Sequence, residues 1–320
     1  MEKVLEVHAL NVTYKTDQKR IFAVQEANFS MNKGDSLGIV GESGSGKSTM
    51  AMAILRLLPE AQAEIQGQIN FLSTDLLSLN KEEMREFRWK KLSVVFQKAM
   101  NSLSPVHQIG EQIEGIYKVH KPKATKKEIE ERVDYLFNLV NLGPRIYRLY
   151  PHELSGGMLQ RVSIAISLLH EPDLLILDEA TTALDVVTQG QILEEIKKME
   201  HDLNLTRMMI THDMSVVASS CNKIAVMYAG EIIEMGLVNE VLRSARHPYT
   251  QGLIESFPPL KGERAKLQAI PGLLPDLSRR YENCVFAPRC PKVHQRCLDE
   301  KPRIINSTPE SWVKCNLYEG

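Results

Sequence analysis

Residues 41–48 read Gly41-Glu42-Ser43-Gly44-Ser45-Gly46-Lys47-Ser48. The stretch fits G-x-x-x-x-G-K-[ST], the phosphate-binding P-loop. Glycines at this spacing let the backbone wrap a phosphate chain closely, with its N–H groups turned inward. The flanks agree with that reading. Ser36–Val40 is a short apolar strand candidate, and Thr49–Leu58 has helical texture up to the stop at Pro59. A helix starting here adds the positive end of its dipole to the site. Lys47 is spaced to reach β- and γ-phosphates and Ser48 to offer its hydroxyl to Mg²⁺. Ser43, Gly44, Ser45, Gly46 and Thr49 complete the expected cradle.

Working outward, strands and helices alternate. Residues 3–14 alternate in polarity and are rich in Val and Leu, as a strand requires. Further strand candidates are Ile69–Leu72, Leu92–Phe96, Arg207–Thr211 and Lys223–Tyr228, and a helix is expected from Thr188. Residues 174–177 (LLIL) are short and wholly apolar, the signature of a buried parallel strand. This order predicts an α/β core with a largely parallel sheet. Residues 107–170 change to a helical texture and read as an inserted helical subdomain. Within it, Thr125-Lys-Lys-Glu128 is a capping box. Ile129, Val133, Leu136, Phe137 and Val140 then fall on one helical face.

The strand at 174–177 ends in Asp178-Glu179. In a phosphate-binding α/β core this is the Walker B pattern. Asp178 is expected to hold Mg²⁺, and Glu179 to act as general base on an attacking water.

Composition bounds the rest. The chain has 320 residues, 43% hydrophobic and 25% charged, with a net charge of −1. That excludes a disordered or collagenous chain and argues against a general nucleic-acid binder. The N-terminus shows no basic stretch followed by an apolar one, so no secretory signal is expected. No run is long and apolar enough for a membrane span. A cytosolic, reducing setting is therefore expected, where clustered cysteines favour metal over disulfides.

Leu154-Ser155-Gly156-Gly157-Met158-Leu159-Gln160-Arg161 resembles the signature sequence of ABC ATPases. The resemblance covers residues 3–245 and implies the P-loop NTPase fold of that family, with ATP and Mg²⁺ as ligands. In the family, Ser155, Gly156 and Gly157 of one subunit face the P-loop of another, so that two ATPs are sandwiched. Tyr14 resembles the aromatic that stacks on adenine. Gln97, in Val-Val-Phe-Gln, resembles the glutamine that touches Mg²⁺ and water. Ala183-Leu184-Asp185 resembles the loop at the dimer seam, and His212, in Ile-Thr-His-Asp, the histidine on the γ-phosphate.

Beyond residue 245 the texture shifts to a proline-rich segment of few periodic runs, read here as a separate appendage over 246–320. His247-Pro-Tyr-Thr, Ile270-Pro-Gly-Leu-Leu-Pro and four cysteines together look like the C-terminal region of dipeptide and oligopeptide importer ATPases. The implied activity is ATP hydrolysis driving peptide import. The implied partners are two transmembrane permease subunits, a second ATPase subunit and, indirectly, an extracytoplasmic peptide-binding protein. The subfamily favours a paralogous second ATPase over an identical copy, and a peripheral position on the cytoplasmic face of the membrane. Oligosaccharide or nickel as cargo, and a soluble non-transport ABC ATPase, are the other readings. A single P-loop, a single signature and the lack of sustained heptads count against the last.

The cysteines follow Cys284-x5-Cys290-x6-Cys297-x17-Cys315. This spacing matches neither tight zinc pairs nor the common ferredoxin patterns, so iron–sulfur, zinc and unliganded thiols all stay open. The importer resemblance implies a [4Fe–4S] cluster. Eight Lys/Arg against five Asp/Glu between Arg279 and Gly320 would suit its negative charge. Such a centre would be a structural staple or a redox element. Cys221, in an apolar stretch, reads as a buried core thiol.

Overall fold

A computed structural model describes residues 2–16, 19–96, 103–182, 184–256, 270–308 and 310–318. In chain order the elements begin with β1 (Lys3–Lys15), β2 (Arg20–Asn32), β3 (Ser36–Val40), α1 (Lys47–Ile54), β4 (Ala63–Phe71) and β5 (Thr74–Asp75). Next come α2 (Lys81–Phe87), β6 (Leu92–Phe96), α3 (Ile109–His120), α4 (Lys126–Leu139), α5 (Gly156–Ser167) and β7 (Leu174–Asp178). Then follow α6 (Val186–Leu203), β8 (Thr206–Thr211), α7 (Met214–Ser220), β9 (Lys223–Tyr228), β10 (Glu231–Leu237), α8 (Val238–Arg243) and α9 (Pro248–Glu255). The last elements are α10 (Gln295–Asp299), β11 (Ile304–Thr308) and β12 (Ser311–Lys314). Among the described residues, no helix is long and apolar enough to cross a membrane.

The chain divides into two compact units. One comprises Leu5–Met31, Ser36–Leu77 and Met209–Gly320. Its first sheet has the order β2-β1-β4-β5, with β1 antiparallel to β4 and a register shift between His8 and Asn11. Its second runs β11-β12-β10-β9-β3. There β3 and β9 are parallel, whereas β9, β10, β12 and β11 pair antiparallel in turn. Ala229 (φ 48°) and Gly230 (φ 86°) close the β9–β10 hairpin. Two successive left-handed residues match the twist of the strands they join.

The other unit comprises Met1–Val4, Asn32–Asp35 and Ser78–Met208. It holds the parallel pair β6–β7 and helices α2–α6. Every residue of β7 is buried, as its unbroken apolar run requires. Ile129, Val133, Leu136 and Phe137 are the buried face of α4. Arg132, on the same helix, donates to the carbonyls of Leu168 (2.7 Å) and Leu169 (3.1 Å), satisfying oxygens that α5 leaves open at its end.

Four local expectations change. The helix after the P-loop stops at Ile54 because Arg56 takes a left-handed conformation (φ 49°), well before Pro59. The strand expected at 69–72 is longer at its start, and Leu72 instead enters a turn (φ 47°). Only half of the capping box forms as read. The Thr125 hydroxyl accepts from the Glu128 N–H (3.2 Å), while the Glu128 carboxylate is taken up by the Tyr117 hydroxyl (3.2 Å) and Lys121 (3.6 Å). Cys221 is half-buried, packed against the apolar core rather than inside it.

The segment 246–320 is not set apart. β12 lies on β10 through Glu234↔Val313 and Met235↔Trp312, so it extends the sheet that carries β3. Tyr249, Leu253, Cys284, Val285, Phe286 and Cys297 share one apolar cluster with Val40, Ile224 and Tyr228. Few periodic runs are legible here because these side chains pack on distant strands as well as across short irregular stretches, as Tyr249 does on both Tyr228 and Phe286.

Candidate functional site: a P-loop and its surroundings

The wholly buried β3 delivers the chain into the glycine-rich loop, and α1 starts at Lys47. Gly46 shows why glycine is required. Its φ is 102°, and a Cβ there would lie 2.1 Å from the Ala23 carbonyl oxygen. The hairpin between β9 and β10 braces the loop from behind, with the Gly230 N–H donating to the Ser45 carbonyl at 2.9 Å. Lys47 is buried, and its Nζ donates to the carbonyls of Gly41 and Glu42, both at 2.8 Å, and to Ser45 Oγ at 3.4 Å. Ser45 is buried, while Ser43, Gly44 and Ser48 are exposed. The loop therefore has a cationic floor and an open rim with hydroxyls at the start of a helix, which is the chemistry of an anion cradle.

Tyr14, the penultimate residue of β1, lies beside this helix start, its hydroxyl 3.2 Å from Thr49 Oγ1. His212 follows β8 in the same unit and is exposed. Asp213 after it caps α7, accepting from the Ser215 N–H at 2.8 Å and the Ser215 hydroxyl at 2.6 Å.

The remaining candidates belong to the other unit. Asp178 ends β7 and is buried. Glu179 follows in a left-handed conformation (φ 50°), a costly state for a glutamate and one that concentrates at functional sites. The Glu179 carbonyl accepts from the Thr182 hydroxyl at 3.0 Å, which holds that turn. Ser155 caps α5, its Oγ accepting from the Met158 N–H at 3.3 Å, and Ser155 and Gly156 are exposed at the helix start. A Cβ on Gly157 would lie 2.8 Å from Thr188 Cγ2, so that glycine lets α5 approach α6. Asp185 caps α6, accepting from the Val187 and Thr188 N–H groups and from the Thr188 hydroxyl (2.7 Å). The Thr188 hydroxyl, then the Thr188 amide, hold its carboxyl below the usual range. Gln97 and Ala183 lie outside the described residues.

Cys284 and Cys297 share one apolar cluster, and Cys290 packs against it. Cys284, Cys297 and Cys315 are buried, Cys290 is half-buried, and all are free thiols. The Cys284 N–H donates to the Cys297 carbonyl at 3.1 Å. Burial pushes the Cys284 thiol up to about 12, with Cys297, Cys315 and Cys290 adding to it. Burial raises Cys290 too, with Cys297 contributing, and raises Cys315, with Cys290 and Cys297 contributing. Cys284 thus feels the other three thiols. Yet among the described residues, no group of three or more His, Cys, Asp or Glu side chains is arranged to hold a metal ion.

One part of this neighbourhood escaped the sequence reading. Glu42, an unspecified position of the motif, is joined to Tyr249 and Arg289. The available signal was an acidic residue inside an anion-binding loop, which requires a partner.

The comparisons agree with this geometry. Residues 24–182 match the family described as ABC transporter, and residues 233–297 that described as oligopeptide/dipeptide transporter, C-terminal region. The chain is 42% identical over 318 residues to the oligopeptide transport ATP-binding protein OppD of Mycobacterium tuberculosis, covering 98% of this chain and 52% of that one. It thus spans about half the length of that relative. It is 39% identical to the oligopeptide transport ATP-binding protein AppD of Bacillus subtilis, covering 100% of this chain and 98% of that one. Among solved structures, it resembles the ATP-binding cassette MJ0796 in a dimeric post-hydrolysis state bound to ADP and Pi. The TM-score is 0.66 and the identity 28%, covering 73% of this chain and 98% of that one. CbiO1 of Clostridium perfringens, part of an ABC transporter complex, gives a TM-score of 0.66 at 26% identity, covering 76% of this chain and 92% of that one.

Proposed function

The chain belongs to the ABC transporter ATP-binding family, and from that premise we propose that it hydrolyses ATP to drive peptide import through a membrane permease. The observation that carries this is the order of two parts in one chain. A braced P-loop comes first, then a segment matching the C-terminal region of oligopeptide and dipeptide transporters.

In this reading the loop amides and Lys47 bind the β- and γ-phosphates, with Ser43, Gly44, Ser45, Gly46 and Thr49 lining the cradle. Tyr14 supports adenine. Ser48, Asp178 and Gln97 supply oxygen donors, the hard ligand set that suits Mg²⁺. When bound, the ion neutralises phosphate charge. Glu179 takes a proton from the attacking water, and His212 steadies the γ-phosphate. Ser155, Gly156 and Gly157 close on the nucleotide of a second ATPase subunit, with Asp185 at the seam. A paralogue as that second subunit, two permease subunits, and a peripheral seat on the cytoplasmic face complete the assembly. An extracytoplasmic binding protein delivers the peptide.

Cys284, Cys290, Cys297 and Cys315 would hold a [4Fe–4S] cluster. Four free thiols are the donor set such a cluster takes. It would supply a four-point staple between the 3₁₀ turn at Ala287–Arg289, α10 and the end of β12.

Affinity capture of the tagged chain from membranes tests the assignment. Two polytopic partners and peptide-stimulated ATP hydrolysis are expected. Capture without membrane subunits, on ribosomes or DNA, would contradict it.

A further inference from the structure

Every polar group of Glu42 is held. Its N–H donates to the Tyr249 hydroxyl oxygen at 3.0 Å. Its carbonyl accepts from Lys47 Nζ at 2.8 Å. Its carboxylate receives two parallel bonds from the Arg289 fork, Nη1 to Oε2 and Nη2 to Oε1, both at 3.0 Å. The paired geometry is the strong, orientation-specific form of this contact.

Arg289 is itself fixed on every side. Nε donates to the Pro271 carbonyl at 2.7 Å, Nη2 to the Ile270 carbonyl at 3.3 Å, and Nη1 to the Tyr228 hydroxyl at 3.4 Å. Its guanidinium also lies over the Tyr228 ring, 5.6 Å from the centroid. Tyr249 is buried and set in place by the start of α9, where His247 Nδ1 accepts the Tyr249 N–H at 3.0 Å. Both grips on the P-loop therefore come from the segment beyond residue 245, and that segment also carries the cysteines.

The electrostatics give the arrangement a purpose. A carboxylate two residues into an anion-binding loop repels the incoming phosphates unless it is neutralised and turned away. Arg289 does both. The Glu42 carbonyl, fixed on either side by Tyr249 and Arg289, is in turn one of the two carbonyls that aim the Lys47 amine.

We propose that Arg289 and Tyr249 are positioning residues for nucleotide, holding Glu42 so that the P-loop and Lys47 are preset before ATP binds. ATP affinity then depends on the C-terminal segment. This deepens the ATP-binding reading and rests on it.

The test is direct titration of the full-length chain with a fluorescent ATP analogue and Mg²⁺, with KM and kcat measured alongside. Arg289→Ala should weaken affinity by about 10- to 100-fold, the usual cost of losing a hydrogen-bonded charge partner. KM should rise accordingly, with kcat nearly unchanged. The double variant Glu42→Ala/Arg289→Ala should recover most of that loss, because the unpaired carboxylate is gone. A purely structural role for Arg289 gives no such rescue. Tyr249→Phe keeps the ring and removes the acceptor, so it should weaken binding several-fold even if Arg289→Ala fails to fold. Wild-type affinity in a folded Arg289→Ala, or in Tyr249→Phe, overturns the proposal, as does a double variant no better than Arg289→Ala. If the unaltered chain binds no better than Lys47→Ala, the ATP-binding reading itself falls.

Discussion

Arg161 of α5 forks onto Glu195 of α6, with Nε 3.0 Å from Oε2 and Nη2 3.0 Å from Oε1. Both side chains are nearly buried, and Asn141 Nδ2 adds a third donor to the same carboxylate at 2.8 Å. Arg161 is the last residue of the signature-like stretch, so this pair fixes the helix whose start presents Ser155 and Gly156.

Removing one partner of a buried ion pair typically costs about 3–5 kcal/mol because the other charge is stranded. Arg161→Ala should therefore lower the melting temperature markedly. Arg161→Lys should restore only part of it, since an ammonium cannot reproduce the planar fork. Melting curves of the two variants check this, and equal stability of Arg161→Lys and wild type would contradict it.

Gly46→Ala places a methyl carbon against the Ala23 carbonyl in a left-handed backbone. Nucleotide binding should be lost while the secondary structure persists. An equilibrium binding assay with circular dichroism as the control decides the point, and retained affinity would contradict the cradle geometry.

His247 is fully buried, and that burial pushes its pKa down to about 3. The unfolded chain takes up a proton near pH 6.5 that the folded chain refuses. Between those values the unfolded state binds more protons, so stability falls as the pH drops. His170, pushed down to about 4 by burial and then by His120, acts with the same sign. His247→Asn keeps a capping acceptor without the titration, so its melting temperature should fall less between pH 7 and 5 than that of wild type. Parallel melts across that range measure the difference, and identical acid limbs would contradict the role of His247.

Anaerobic purification should yield a brown protein with iron and acid-labile sulfide in equal amounts, and Cys284→Ser should lose both. Metal loading must release protons from the raised thiols, so it should weaken as the pH falls. A colourless protein with one zinc would overturn the cluster.

The parts legible in the sequence were those with local causes. The P-loop declared itself through glycine spacing, and β3, β6 and β9 through short apolar runs whose ends match the expected ones. What stayed hidden depends on distant contacts. Glu42 and Arg289 are 247 positions apart, and nothing around either predicts the other. β12 was invisible because its partner, β10, lies some 80 residues earlier in the chain, with Glu234 opposite Val313. Arg56 ended α1 early through a backbone conformation that its side chain does not advertise.

ATP turnover by Glu179→Gln, measured beside nucleotide binding by the same preparation, bears most directly on the central claim. A general base is worth about 10²–10⁴-fold in rate. The variant should bind ATP with Mg²⁺ as the wild type does, accumulate as a closed dimer with its second subunit, and hydrolyse at least 100-fold more slowly. Hydrolysis at the wild-type rate would contradict the assignment of Glu179 and the ATPase mechanism built on it.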